Sequence, residues 1–452
     1  MHILLLATTL SSFLTPFMGS AVVVALPVIA KELSMTALAL SWVATSFLLA
    51  AAITLVPLGR LADIYGRQRI FLYGAITFTV SSLLCVWSPT QGFLIAVRTL
   101  QGIGGAMIFS TGTAMLVAAY PAEDRGKILG INIAAVYIGL TVGPFIGGLL
   151  TEHLGWRYIF VFTAILGVIL TAAIGSMNKE KSLPAQSEGF DIAGSLLYAL
   201  SVFAVMYGFT LLPSWGAALL IGLGVSGFYF FVAQQLKRPS PLLDIHLFLN
   251  NRVFAFSNLA ALINYCATFA VTFLLSLYLQ HIKMLTPSQA GTILIIAPLM
   301  QALFSPFAGK LSDRYEPQVI SSVGMGLNVA GIIGLIFIQS DTTIHYIVIC
   351  LITLGIGFAL FSSPNVNATM SSVEKKFYGV ASATLATMRL TGQMFSMGIT
   401  MLIFALIIGN QTISDVSNPL LLKSTQIIFV ILAVICLGGI FASLARGKVH
   451  NP

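Results

Sequence analysis

Fourteen stretches of mainly apolar sequence, each long enough to cross a bilayer and parted by short polar turns, leave this 452-residue chain little choice of fold. A spanning helix needs about 20 such residues. Charge-poor runs of that kind occupy residues 3–29, 37–58, 70–87, 92–118, 127–151, 156–176, 190–212, 215–235, 252–280, 287–308, 317–339, 343–367, 378–409 and 424–445. Hydrophobic residues make up 58% of the chain and charged ones 8%, more apolar surface than a soluble core hides. The first span is too long for a signal peptide and lacks a clear cleavage site, so it reads as a retained helix.

Lys and Arg are retained in cytoplasmic loops. With the N-terminus inside, sixteen of the 22 basic residues fall on the cytoplasmic side, from Arg60, Arg67 and Arg69 through to Arg446 and Lys448. Lys31, Arg157, Lys283 and Lys423 fall outside, while Arg98 and Arg389 lie within spans. This predicts an even helix count in the plasma membrane with both termini cytoplasmic. The net charge of +8 is scattered over short loops, which excludes a nucleic-acid surface. Cys85, Cys266, Cys350 and Cys436 sit far apart inside spans, so no metal site is expected, and no cofactor. The six His lie near span ends without a nucleophile–base pair, and there is no phosphate-binding G-x-x-x-x-G-K-[ST] loop; an enzyme and direct ATP coupling are not expected.

The chain repeats itself. Gly59-Arg60-Leu61-Ala62-Asp63-Ile64-Tyr65-Gly66-Arg67-Gln68-Arg69 returns in part as Gly309-Lys310-Leu311-Ser312-Asp313-Arg314-Tyr315, an offset of 250, and Glu123-Asp124-Arg125 aligns with Val373-Glu374-Lys375 at the same offset. The helix pair at 190–235 interrupts this plan. The expected domains are therefore a six-helix bundle at 1–178, a linker with two inserted transmembrane helices at 179–251, and a second six-helix bundle at 252–452. Each bundle starts and ends inside, so the repeats are parallel, and a substrate site belongs near the midplane between them.

Gly59 and Gly66 are expected to let the chain turn tightly where helices end. Asp63 caps a helix start or pairs with Arg67 or a basic residue of a neighbouring helix, a latch that breaks when the bundles rock; Gly309, Asp313 and Arg314 form its second copy. Arg98 and Gln101, three apart, share a helix face. A charge in hydrocarbon costs roughly 3 kcal/mol, so Arg98 should face the bundle interior, either tuning proton exchange, attracting an anionic group, or bonding backbone carbonyls. In the fifth span Gly130, Gly139, Gly143, Pro144, Gly147 and Gly148 give a smooth groove for close packing and a bend.

The Gly59–Arg69 segment closely resembles the loop between helices 2 and 3 of the major facilitator superfamily. Arg98–Ala106 resembles the superfamily's helix-4 motif, and the fifth-span spacing G-x8-G-x3-G-P-x2-G-G resembles its exporter motif, which importers usually lack. Gly155–Phe160, Phe190–Gly194, Pro241–Asp244 with Phe248, and Met388–Gln393 are similar, in order, to segments of the fourteen-helix drug:proton antiporter family. The resemblance implies an all-α polytopic membrane protein of the major facilitator fold: two six-helix parallel repeats plus an inserted central helix pair, 14 transmembrane helices.

One departure narrows the chemistry. That family usually carries an acidic residue in helix 1, where this chain has Met18, with Val23 at a usual Asn position. All fourteen acidic residues fall in loops or near span ends. Proton coupling would then use a peripheral carboxylate such as Asp63, Glu32, Glu152 or Asp191, or Arg98 and its neighbours, and the substrate is neutral or anionic rather than a multivalent cation. Thr15, Ser20, Arg98, Gln101, Asn264, Tyr265, Ser362, Ser363, Arg389 and Gln393 interrupt apolar spans on helices that line the cavity in this fold, and are the candidate cavity residues; a local backbone bond is the competing role for the hydroxyls. The expected function is a monomeric, proton-coupled antiporter exporting drug-like or amphiphilic small molecules by alternating access. A uniporter or symporter for a specific metabolite, and a transport-inactive membrane sensor, are the alternatives.

Overall fold

The computed structural model describes residues 2–447 except 122–124, 178–189, 239–240, 244, 313, 375–377, 410 and 414. The first set of long helices is α1 (His2–Glu32), α2 (Ala37–Tyr65), α3 (Arg67–Val86), α4 (Gln91–Ala119), α5 (Arg125–His153) and α6 (Arg157–Gly175). Next come α7 (Ile192–Thr210), α8 (Trp215–Gln235) and the short α9 (Ile245–Asn250). The last set is α10 (Arg252–Leu277) continued by a π turn (Tyr278–Ile282), α11 (Pro287–Leu294), α12 (Ile296–Ser312), α13 (Pro317–Ile336), α14 (Ile344–Ser371), α15 (Tyr378–Ile407) and α16 (Asn418–Ala445). Fourteen of these segments are long and apolar enough to cross a membrane, α11 and α12 together forming one. Among the described residues the only β pairing is an isolated bridge between Thr36 and Thr412.

Polar residues start these helices where the chain leaves the apolar runs. Thr36, Thr90 and Ser214 accept backbone N–H groups of α2, α4 and α8, Asn251 does so for α10, and Thr286 with Gln289 forms a capping box on α11. Pro298 has no N–H to offer the Leu294 carbonyl, which accounts for the one-residue break at Ile295. Span limits read from hydropathy fall short where helices project beyond the apolar run. The seventh residue of the Gly59–Arg69 segment, Tyr65, still belongs to α2. Gly59 is thus no turn residue; it is a helical position where a Cβ would meet Ser110 of α4 at 3.5 Å. Gly66 alone makes the turn, at φ 101°. Lys423, expected in a loop, lies inside α16.

Helix pairing repeats. In the first set α1 packs on α5, α2 and α3 on α4, and α3 on α6; in the last set α10 packs on α15, α12 and α13 on α14, and α13 on α16. The matching approaches are backbone-close at matching glycines. A Cβ at Gly74 would press on the Gly104 carbonyl and one at Gly324 on the Gly357 carbonyl; Gly102 meets Phe47 as Gly355 meets Ala297, and Gly139 meets Phe13 as Gly392 meets Leu262. Gly74 and Gly324 stand 250 apart, but Gly102/Gly355, Gly104/Gly357 and Gly139/Gly392 stand 253 apart. The shift arises in the connection from Ile336 to Ile344, three residues longer than that from Val86 to Gln91. It corrects the pairing of Glu123–Arg125 with Val373–Lys375: α5 begins at Arg125 and α15 at Tyr378, also 253 apart, while residues 122–124 and 375–377 lie outside the described residues.

The pair α7–α8 sits on a seam between the two sets. The Tyr198 hydroxyl of α7 donates to the Ala52 carbonyl of α2 at 3.2 Å, and Met206 clusters with Leu49 of α2 and Met394 of α15. α8 packs principally on α7, and most of its surface is exposed, as a lipid-facing helix requires.

Candidate functional site

At the end of the bundle opposite the termini, the two sets are sewn together. Ser276 and the Gln280 amide of the π turn donate to the carbonyls of Val23 and Val24 on α1, at 3.0 and 2.8 Å. The Ile413 N–H donates to Met35 at 3.1 Å, and a Glu152 oxygen on α5 accepts the Ser288 N–H of α11 at 3.0 Å. The fifth-span motif lies in this seam. Gly139, Gly143 and Gly147 face α1, where Cβ atoms would strike Phe13, Ser20 and Ala21, whereas Gly148 faces Pro287 and Pro144 lies under Gly291 of α11. One helix thus presents smooth surfaces to both sets, as small-residue spacing allows. Gly130 is the exception, exposed and with nothing within 4 Å of a Cβ.

At the termini end, Asp63 receives Arg67 through Nε at 2.9 Å and Nη2 at 2.8 Å, and Arg67 Nη1 reaches the Ala114 carbonyl of α4 at 3.4 Å. The pair joins α2, α3 and α4 within the first set. Gly309 repeats the Gly59 contact, its Cβ position lying 3.1 Å from Ser363 of α14, and Arg314 follows α12 exposed. Asp313 lies outside the described residues.

Two arginines are built into bundle interiors. Arg98 is 2% exposed; it donates to the Val43 carbonyl of α2 at 3.1 Å and to Gln101 Oε1 at 2.5 Å, and Gln101 in turn donates to Ser82 of α3 at 2.7 Å. Phe47 covers its guanidinium at 4.6 Å. Arg98 and Gln101 share one helix face, and that face is the contact between α2, α3 and α4. Arg446, counted from sequence among the cytoplasmic-side charges, is fully buried, with hydrogen bonds to Ser443 of α16 and Ser257 of α10. Only its hydroxyl-rich surroundings, Ser257, Ser322 and Ser443, could have signalled this.

Arg389 of α15 stands differently, in a cluster drawn from both sets. Its Cζ lies 5.0 Å from the Phe109 ring of α4 and 5.9 Å from the Tyr265 ring of α10. The Tyr265 hydroxyl sits beside Ser362 of α14 and Arg389, with Tyr137 of α5 nearby, and Phe358 packs edge-on behind the Tyr265 ring. Gln393 is half-buried one turn further along. The remaining cavity candidates turn elsewhere. Thr15 bonds the Ser11 carbonyl of its own helix, Ser20 fits against Gly139 and Gly143, Asn264 accepts from Asn328 of α13 inside the last set, and Ser363 meets Gly309. Phe109 and Tyr137 were not among the sequence candidates: a phenylalanine carries no contrast in an apolar span, and Tyr137 lies in the glycine-rich fifth span, which reads as a packing surface.

Carboxylates expected at the periphery are engaged there. Glu32 accepts Trp156 Nε1 at 2.7 Å and pairs with Arg157 at 2.5 Å. Asp191 caps α7 through the Gly194 N–H and receives Gln235 at 2.9 Å and Arg238 at 3.2 Å. Among the described residues no group of His, Cys, Asp and Glu has the arrangement to hold a metal ion.

Known proteins are similar to this chain in sequence or in fold. The riboflavin transporter RibZ of Clostridioides difficile is 30% identical over 388 residues, covering 86% of this chain and 84% of the relative. The multidrug resistance protein Stp of Mycobacterium tuberculosis is 29% identical over 394 residues, 86% of this chain and 73% of its own length. In fold, the nucleoside transporter NupG superposes with a TM-score of 0.66 at 15% identity, covering 98% of this chain and 100% of that one. The family description Major Facilitator Superfamily matches residues 8–397 and 257–450. Fourteen membrane-spanning helices, the twice-used helix-pairing plan and a family match along nearly the whole chain lead to one conclusion: this multi-pass membrane transporter belongs to the Major Facilitator Superfamily.

Proposed function

We propose that this transporter is a proton-coupled antiporter that exports drug-like or amphiphilic small molecules, working as a monomer in the plasma membrane with both termini cytoplasmic. Residues 1–178 and 252–452 move as two bundles around the inserted 179–251. The distribution of basic residues supports this orientation, and the conformer described is then sealed towards the outside. The observation that carries the export reading is the packing of Gly139–Gly148 on α1 and α11 together, an outer seal made by one helix. Resemblance to a multidrug resistance protein agrees with it. Alternating access requires that this seal part while contacts form at the cytoplasmic end.

For coupling, Glu152 is the carboxylate we favour. Glu32 and Asp63 are held inside the first set and Asp191 inside the α7–α8 pair, whereas the Glu152 bond crosses to the other set. A proton taken up there removes the charge that meets the first turn of α11, so protonation and opening are linked.

The likeness to a riboflavin transporter favours a second reading, a uniporter or symporter for one metabolite. Everted vesicles separate the two. With an acid lumen imposed, antiport predicts accumulation of amphiphilic dyes that stops when nigericin collapses the gradient; accumulation indifferent to the gradient would remove antiport. Absence of any movement at normal membrane expression would support a transport-inactive sensor.

A further inference from the structure

Among the described residues, two interior guanidinium groups are met by acceptors and a ring face, and a third, held beside one tyrosine hydroxyl, keeps an open donor. Arg98 has a backbone carbonyl, Gln101 and the face of Phe47; Arg446 has the Ser443 carbonyl, the Ser443 hydroxyl and Ser257. Arg389 has a buried Nε with no hydrogen-bond acceptor. The groups around it are the rings of Phe109 and Tyr265 and the hydroxyl pair of Tyr265 and Ser362.

Position makes that unmet donor costly. Arg389 lies eleven residues into α15, about 16 Å along a helix that spans the bilayer, and so near the depth where an uncompensated charge is most costly. Ring faces return only part of that cost. The ion pairs Arg67–Asp63, Arg157–Glu32 and Arg238–Asp191 lie at helix ends, and none of them brings a carboxylate to Arg389. A charge retained there without a protein counter-charge points to a counter-charge that arrives from outside the protein.

We infer that the cleft between α4, α5, α10, α14 and α15 takes a flat conjugated molecule bearing an anionic group. Arg389 supplies the fork of donors that an anionic oxygen pair accepts, Phe109 and Tyr265 supply ring faces for the conjugated part, and the Tyr265 and Ser362 hydroxyls supply neutral hydrogen bonds at its edge. A cationic ligand meets a like charge and no carboxylate. Phe109 and Tyr137 come from the first set and Tyr265, Ser362 and Arg389 from the last, so such a ligand touches both bodies whose relative motion defines alternating access. The inference rests on the proposed reading that substrate binds between the two sets, and adds its charge and shape.

Three anthracenes that share one ring system test it on purified full-length protein in detergent: anthracene-9-carboxylate, 9-anthracenemethanol and 9-(aminomethyl)anthracene, with equilibrium binding read from anthracene fluorescence. The carboxylate should bind about ten-fold or more tighter than the amine, and Arg389→Gln should weaken the carboxylate about ten-fold or more while leaving the neutral alcohol within about three-fold. Retained alcohol binding shows that the variant is folded. Should Arg389→Gln lose the alcohol too, Arg389→Lys decides: it keeps the charge but not the fork, and must still prefer carboxylate over amine. Preference for the amine, carboxylate binding unchanged in Arg389→Gln, or no binding of any of the three by the unaltered protein overturns the proposal. The readout needs no gradient and no transport, so failure of antiport leaves it standing; gradient-driven export of cations that ignores Arg389→Gln would uphold antiport and overturn the anionic site.

Discussion

Glu152 on α5 accepts the backbone N–H of Ser288 on α11 at 3.0 Å, a carboxylate of the first helix set resting on the first turn of a helix in the last. A negative charge at a helix N-terminus is favourable, and here the charge and the helix belong to parts that must separate during transport.

Replacing Glu152 by Gln keeps the shape and removes the charge. The expected result is a conformational equilibrium displaced from the sealed state. Spin labels at Leu154→Cys and Met284→Cys, both exposed and flanking the contact, should show a longer or broader distance distribution in Glu152→Gln than in its parent. Identical distributions would deny Glu152 a part in the seal.

The fifth-span motif makes a sharper claim because it contains its own control. A side chain at Gly148 strikes the Pro287 carbonyl, whereas one at Gly130 meets nothing within 4 Å. Gly148→Val should lower thermal stability in detergent by about 1–3 kcal/mol through overpacking, and abolish most transport. Gly130→Ala should leave both near the parent. Equal effects of the two would refute the packing account.

For Arg98 the forecast is structural. Gln101→Leu removes the acceptor of Arg98 Nη1 and the donor to Ser82, leaving buried groups without partners at a cost of about 1–3 kcal/mol. The melting temperature should fall, while transport per folded molecule stays close to the parent. A variant that melts normally but no longer transports would give Arg98 and Gln101 a direct part in the cycle.

Asp63 should behave in the opposite way. Its bond to Arg67 is more than a third exposed on both sides, and surface pairs of this kind contribute about 0–1 kcal/mol. Asp63→Asn is therefore expected to melt like the parent yet transport more slowly, because the pair sets how α2, α3 and α4 meet at the termini end. Loss of transport at normal membrane expression would also exclude the sensor reading.

Which parts of this molecule could be read in advance follows from how a lipid-embedded chain is written. Span existence and count were legible, since length and apolarity set both, and the turn at Gly66 and the register of Gly139–Gly148 were legible as spacing. The direction of each side chain was not. A helix apolar around its whole circumference has no contrast between its lipid face and its packed face, so Asn264 and Ser20 could not be told from Tyr265 or Ser362. Gly59 was misread for a related reason: hydropathy ends at residue 58, whereas helical hydrogen bonding runs on to Tyr65. The burial of Arg446 was not legible either, because a charge at the end of an apolar span looks solvated in sequence, whatever hydroxyls fold over it.

The inserted α7 makes the two sides of the molecule unequal. A doubled six-helix plan offers two equivalent slots through which an amphiphile dissolved among acyl chains could slip sideways towards the centre, one along α2 and α15, the other along α5 and α12. With Tyr198 and Met206 laid across the first, that slot is shuttered from the surrounding leaflet. No such helix packs across the α5–α12 slot among the described residues, so α7 covers one flank of the doubled bundle and leaves the opposite flank to the bilayer.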